Sequence, residues 1–192
     1  MVENVKNIGI LWVEELLKNN LTYTKPGTIT YLLYGEKPSE QSINIKFGHF
    51  GEIIAKELIK LNNNFELLTC GVQIINDKKK DIDLIFKDDI NKIIYYRELD
   101  SEKLPATISK CKEIEKYLQI KYNNYIIDSG ILNWSVYNRQ ILKTGLPNIK
   151  IFENKEIKIN HMKDFLDIIK IEWTEDDYYS YFRKLGLIIK NS

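Results

Sequence analysis

Cysteine and histidine are scarce: the 192 residues include only Cys70, Cys111, His49 and His161. Two cysteines are too few for a disulfide framework or a thiolate zinc site, and two scattered histidines do not complete one. A reducing compartment is expected. Arginine occurs only at Arg97, Arg139 and Arg183, and lysine carries the rest of the positive charge. Neither sign dominates, with 28 Lys+Arg against 27 Asp+Glu and a formal net charge of +1. That balance excludes a polybasic protein whose whole surface attracts phosphate, so any nucleic-acid site must be focal. No apolar run approaches the roughly 20 residues that span a bilayer. The opening Met1-Val2-Glu3-Asn4 lacks a charged segment leading into an apolar one. The chain is expected to be neither exported nor membrane-embedded. There is no internal repeat, low-complexity tract or linker, so residues 1–192 read as a single domain.

Hydrophobic spacing supplies the elements that are present. Ile8, Leu11, Trp12, Leu16 and Leu17 predict an amphipathic helix over Asn7 to Lys18. Pro26-Gly27, Gly35 and Pro38 predict a loop over Thr22 to Ser42. Ile53, Ile54, Leu58 and Leu61 predict a helix over Gly51 to Leu61, with Glu52 in its first turn. Strands follow at Phe65 to Ile75, Ile82 to Lys87 and Ile93 to Leu99, the last two joined by the polar turn Asp88-Asp89-Ile90-Asn91. Ile108, Cys111, Ile114, Tyr117 and Leu118 turn one face of a helix over Leu104 to Ile120 inward, leaving its lysines and glutamates outside. Short strands at Tyr125 to Ile127, Ile131 to Tyr137 and Ile149 to Phe152 come next, then helices at Met162 to Ile169 and Glu175 to Leu185. The fold class is α/β, with a mixed central sheet flanked by helices. It divides into an N-terminal helix and loop over 1–47, a core over about 48–122, and C-terminal strands and helices over 123–192.

Acidic residues gather on one hairpin. Centring its turn between residues 90 and 91 sets position 83 opposite 98 and position 81 opposite 100, and opposed residues share a face. Asp81, Asp83, Glu98 and Asp100 then lie together. A one-residue slip would scatter them. Like charges opposed across a sheet need solvent, protonation or a cation, and a hard divalent metal held by oxygen is the economical cation. A solvated acidic face is the alternative. Glu52 on the preceding helix and the adjacent Lys78-Lys79-Lys80 run favour the metal.

A helix bearing a glutamate, a strand with Asp81-Ile82-Asp83-Leu84, a strand ending in Arg97-Glu98-Leu99 and a further helix together resemble the core of the PD-(D/E)xK nuclease superfamily. Five blocks narrow the likeness to a family of type II restriction endonucleases: Gly48-His49-Phe50-Gly51-Glu52, Lys80 to Leu84, Tyr95 to Leu99, Asp100 to Thr107, and Asn133-Trp134-Ser135-Val136-Tyr137. It spans about residues 30 to 185. The resemblance implies a restriction-endonuclease-like core and sequence-specific hydrolysis of double-stranded DNA. It also implies Mg2+, replaceable by Mn2+, as cofactor, and a homodimer in the cytoplasm of a prokaryotic cell. Asp83 and Glu98 would be metal ligands, and Glu52 would complete the shell directly or through water. The pattern departs at its third position, where a lysine is expected two residues after Glu98 and Asp100 stands instead. Asp100 then becomes a further candidate ligand. Lys103, or Lys80, would have to replace the lysine, and cleavage is expected to be impaired. A repair or resolvase-type nuclease of the same superfamily, or a catalytically inactive DNA-binding or interaction protein, are the other readings.

Candidate DNA contacts are Lys79 and Lys80 toward phosphate, Ser39 and Gln41 in the early loop, and Asn133, Ser135, Asn138 and Arg139, whose amide and guanidinium groups suit base edges. Trp134 and Val136 equally suit a core strand. His49 reads as a loop or helix-cap residue. Cys70 in a strand and Cys111 on a helix read as structural, and Tyr178, Tyr179, Tyr181 and Phe182 read as a packing stripe rather than a base-stacking platform.

Overall fold

The computed structural model describes residues 2–18, 40–99, 104–134, 136–138 and 155–190, with side chains at 40–47, 104 and 190 left aside. The elements are α1 (Val2–Lys18), α2 (Glu40–Lys60), β1 (Phe65–Leu67), β2 (Gly71–Ile75), β3 (Lys78–Ile82), β4 (Leu84–Asp88), β5 (Ile93–Glu98), α3 (Leu104–Lys121), β6 (Ile126–Asn133), β7 (Lys158–His161), α4 (Met162–Ile169) and α5 (Glu175–Lys190). Five strands form one sheet in the order β1-β4-β5-β6-β7, while β2 and β3 form a separate two-stranded ribbon. β1, β4 and β5 are antiparallel neighbours, and β6 and β7 continue in parallel. A parallel step needs a crossover, which α3 supplies between β5 and β6.

Side chains alternate across this sheet. Leu84, Phe86, Tyr95 and Leu132 face a core completed by Phe50, Ile54 and Leu58 of α2, Val5 and Val13 of α1, Phe165 of α4 and Tyr178 of α5. Ile85, Ile94, Tyr96 and Ile131 face the other way, onto Cys111, Ile114 and Leu118 of α3. The expected α/β class, with a mixed central sheet flanked by helices, is borne out.

Several boundaries differ, each for a physical reason. α1 begins at Val2 because Val5 extends the buried stripe that Gly9 and Val13 continue. α2 begins at Glu40, so Gly48, His49 and Gly51 are helical and Glu52 lies well inside the helix rather than in its first turn. At Gly51 a Cβ would stand 2.6 Å from Cε2 of Trp134. That glycine is a packing notch and not a turn signal. The single strand expected over Phe65 to Ile75 is two, broken before Gly71, whose φ of +89° suits a residue without a Cβ. Asn76 and Asp77 both take positive φ, 50° and 60°, and form a two-residue turn joining β2 to β3. Strands expected separately at Tyr125 to Ile127 and Ile131 to Tyr137 merge into β6, and β7 was not anticipated. The strand expected at Ile149 to Phe152 lies outside the described residues.

Aromatic contacts bind the helices to this frame. Phe50 meets Trp12 at 5.2 Å and Phe182 at 6.2 Å between ring centroids, and Phe182 meets Tyr178 at 4.8 Å. The late aromatic stripe is therefore packing, as expected, and Val136 is buried.

Candidate metal centre

The β4–β5 hairpin pairs Leu84 with Arg97 and Ile85 with Tyr96. Extending that register by one residue sets Asp83 opposite Glu98, as the centred turn predicts. Asp83 itself lies in the bend between β3 and β4. Its Oδ2 accepts the Leu99 backbone N–H at 2.8 Å, which ties the acid to the far end of β5. Glu98 is 4% exposed. Its carboxylate accepts the Tyr96 hydroxyl and forms an ion pair with the Lys110 ammonium.

The electrostatics follow from this crowding. Burial first, then the Glu98 charge, pushes the Asp83 carboxyl up to about 7, against the Leu99 N–H and Lys110; Glu52 adds to the rise. Burial also raises Glu98, with Lys110 and Tyr96 opposing and Asp81 contributing. Lys110 is disfavoured by its burial, yet Glu98, Asp83 and Asp81 hold its ammonium above the ordinary lysine value. Glu52 on α2 is thus within electrostatic reach of the pair, its own carboxylate engaged by Lys56 at 3.1 Å and by His49 Nδ1 at 3.3 Å. Cys70 lies at the same place, between β1 and β2. Burial pushes its thiol up, so it is not a thiolate nucleophile.

Lys110 was not anticipated. Helical periodicity assigned the lysines of this helix to solvent, whereas Lys110 turns to Glu98. The signal was available: Lys110 stands three residues after Thr107 and four before Ile114, both buried, so it belongs to the inner stripe.

The remaining candidates are distributed unevenly. Asp81 lies in β3, opposite Val72 in the ribbon and exposed, so its expected cross-strand pairing with position 100 is replaced by ribbon pairing. Lys80 is paired with Glu113 of α3 at 2.6 Å and not with the acid pair. Lys79 is exposed on the ribbon. His49 is an exposed helical residue, not a cap. Asn133 is buried at the end of β6, and Asn138 is half-buried. Ser39, Asp100, Lys103, Ser135 and Arg139, and the side chain of Gln41, lie outside the described residues.

Behind the site, Arg97 is 1% exposed and points to the opposite face from Glu98. It donates to Asn160 Oδ1 of β7 and Asp128 Oδ1 of β6, both at 2.7 Å, and to the Tyr96 carbonyl at 2.9 Å. This clamps the strand that presents Glu98. Burial depresses the guanidinium, opposed by Asp128; Arg97 and Lys158 in turn hold the Asp128 carboxyl below its usual range despite its burial.

Among the described residues no three Asp, Glu, His or Cys side chains form a ready-made ligand group. What converges is a pair of opposed carboxylates, a third within electrostatic reach, and one lysine. No helix of the described residues is long and apolar enough to cross a membrane. No family model, curated protein or solved structure matches the chain.

Proposed function

We propose that the chain is a Mg2+-dependent endonuclease with a restriction-endonuclease-like core, hydrolysing double-stranded DNA at specific sequences. The observation that carries this reading is the pairing of Asp83 and the buried Glu98 at one end of a hairpin, with the Lys110 ammonium on Glu98 and Glu52 within electrostatic reach. The order α2, antiparallel β1, β4 and β5, crossover α3 and parallel β6 supports it, since it matches the helix, acidic strands and helix of the resemblance. A homodimer belongs to the same reading, because palindromic sites are met by two-fold assemblies.

The donor set fits a hard divalent cation: all three groups are carboxylates, and burial followed by the opposed Glu98 charge, which together raise Asp83, disfavour two anions side by side without a cation. Asp83 and Glu98 would hold the ion, with Glu52 completing its shell directly or through water. Bound Mg2+, or Mn2+ in its place, supplies Lewis-acid stabilisation of phosphoryl oxygens and an acidified water. The Leu99 N–H orients Asp83 by engaging Oδ2, leaving Oδ1 for a cation. Lys110 supplies from α3 the positive charge that Asp100 does not supply at the motif position, and its ammonium can stabilise charge building on a phosphate oxygen. The engagement of the Glu98 carboxylate by Lys110 and Tyr96, which already occupy it, favours one second reading, an inactive DNA-binding scaffold.

The test is cleavage of a supercoiled plasmid with Mg2+, with chelator, and with Asp83→Ala. Metal-dependent cutting lost in the variant supports the nuclease. DNA binding without cutting supports the scaffold, and neither activity refutes both.

A further inference from the structure

The two oxygens of the buried Glu98 carboxylate are engaged by partners of different kinds. Oε1 accepts the Tyr96 hydroxyl, a neutral donor with no solvent exposure, fixed among Ile94, Cys111 and Ile114. Oε2 is paired with the Lys110 ammonium, whose side chain is 26% exposed against 5% for Glu98. Among the described residues Lys110 makes no other ion pair. The acids themselves keep it charged: burial disfavours the ammonium, and Glu98, then Asp83 and Asp81, more than restore it. A dication held by Glu98 and Asp83 would neutralise the charges that attract Lys110, and would repel the ammonium through a half-buried medium that screens poorly. The Tyr96 hydroxyl carries no charge and meets no such conflict.

We infer that Lys110 is an exchangeable counter-ion, closing the acid pair until a divalent cation takes its place on Glu98 and the displaced ammonium moves out toward solvent. The inference rests on the metal reading above and adds what controls loading of that site. A lysine suits the task, because a compact ammonium on a flexible four-carbon stem can leave without moving the helix that carries it. Its partial exposure gives it a way out that does not cross the core. Ion pair and metal then oppose one another, and the opposition is reciprocal: the pair weakens metal binding by the factor by which metal weakens the pair. A lysine that merely supports the acids predicts the opposite sign, since its removal would weaken metal binding or leave it unchanged.

Two measurements on the full chain, without DNA and at one fixed pH, test the exchange. In the first, Mn2+ is titrated and the free ion followed by electron paramagnetic resonance. Lys110→Gln should bind roughly tenfold tighter than wild type, Lys110→Arg, which keeps the counter-ion, should bind like wild type, and Asp83→Ala should bind no ion at this site. In the second, lysines of the wild-type chain are acetylated with and without Mg2+ and read residue by residue by mass spectrometry, so that the result does not depend on a variant folding. Labelling of Lys110 should rise in step with metal saturation, and should not rise in Asp83→Ala. Metal binding by wild type that Lys110→Gln leaves equal or weakens overturns the inference and spares the metal reading, as does Lys110 labelling indifferent to Mg2+. Absence of metal binding in both wild type and Lys110→Gln overturns the metal reading, and the exchange with it.

Discussion

Replacing Asp83 with asparagine should change stability in a manner that depends on pH. The carboxyl ionises at 3.8 in an unstructured chain and at about 7 here, raised by burial and by Glu98. Between those values the folded chain holds a proton that the unfolded chain has released, so stability falls as pH rises through about 7. The favourable contribution is complete below the unfolded value and gone above the folded one. Three units at about 1.36 kcal/mol each give roughly 4 kcal/mol over the whole window, of which about 2.5 falls between about pH 5 and about pH 8. Asp83 is half-buried, and solvent reaching it reduces that share to ~1 kcal/mol. Asparagine keeps the shape and the acceptor for the Leu99 N–H but never ionises. Asp83→Asn should therefore gain on wild type by ~1 kcal/mol on going from about pH 5 to about pH 8, or ~2–4 °C in Tm for a domain of this size. Thermal unfolding followed by circular dichroism, without metal, is the assay. A difference between the two proteins that is the same at both pH values would refute the claim that this carboxyl is held protonated. In the nuclease reading, Mg2+ added at the higher pH should raise the Tm of wild type more than that of the variant.

Lys110→Gln removes the partner of a buried carboxylate and should cost ~3–5 kcal/mol in chemical denaturation, most of it recovered when Glu98→Gln is added. In the nuclease reading the same substitution should lower cleavage by about 10²–10³-fold, measured by single-turnover kinetics on folded protein. Arg97→Met leaves Asp128 and Asn160 without their guanidinium and should cost ~3–5 kcal/mol in urea unfolding; a loss under ~1 kcal/mol would show that the clamp on β5 is dispensable.

Elements whose buried side chains repeat at helical spacing were legible in the sequence. α3 runs Leu104–Lys121 against an expectation of Leu104 to Ile120, and α4 matches its expected bounds, because Cys111, Ile114 and Leu118, or Phe165, Leu166 and Ile169, are unbroken core stripes. The hairpin register was legible for a similar reason. Its turn is bounded by Asp88, whose Oδ1 accepts the Ile90 and Asn91 N–H groups at 3.0 Å, a local bond that needs nothing distant. The start of α2 was not legible, because Gly48 and Gly51 signal a break by local propensity and only the distant Trp134 explains Gly51. The ribbon was missed because β2 was read as the end of a longer strand and β3, apart from Ile82, was given no strand, although Asn76-Asp77 between Ile75 and Lys78 is a hairpin signal in its own right.

The site separates into a part that sequence spacing can reach and a part that it cannot. Asp83 and Glu98 come together through one hairpin, so a correct turn brings them together with no further information. Lys110 reaches Glu98 only because α3 crosses from β5 to β6 and lies along the face that Tyr96 and Ile94 present. A motif written as consecutive residues assumes that the cation comes from the same strand as the carboxylate. Coulomb attraction makes no such demand, since it depends on the separation of the charges and the medium between them, not on their order along the chain. Lys110 therefore meets the electrostatic requirement of a buried carboxylate from a different element, twelve residues beyond Glu98. An incomplete motif on one strand is thus no measure of the charge that the folded site contains.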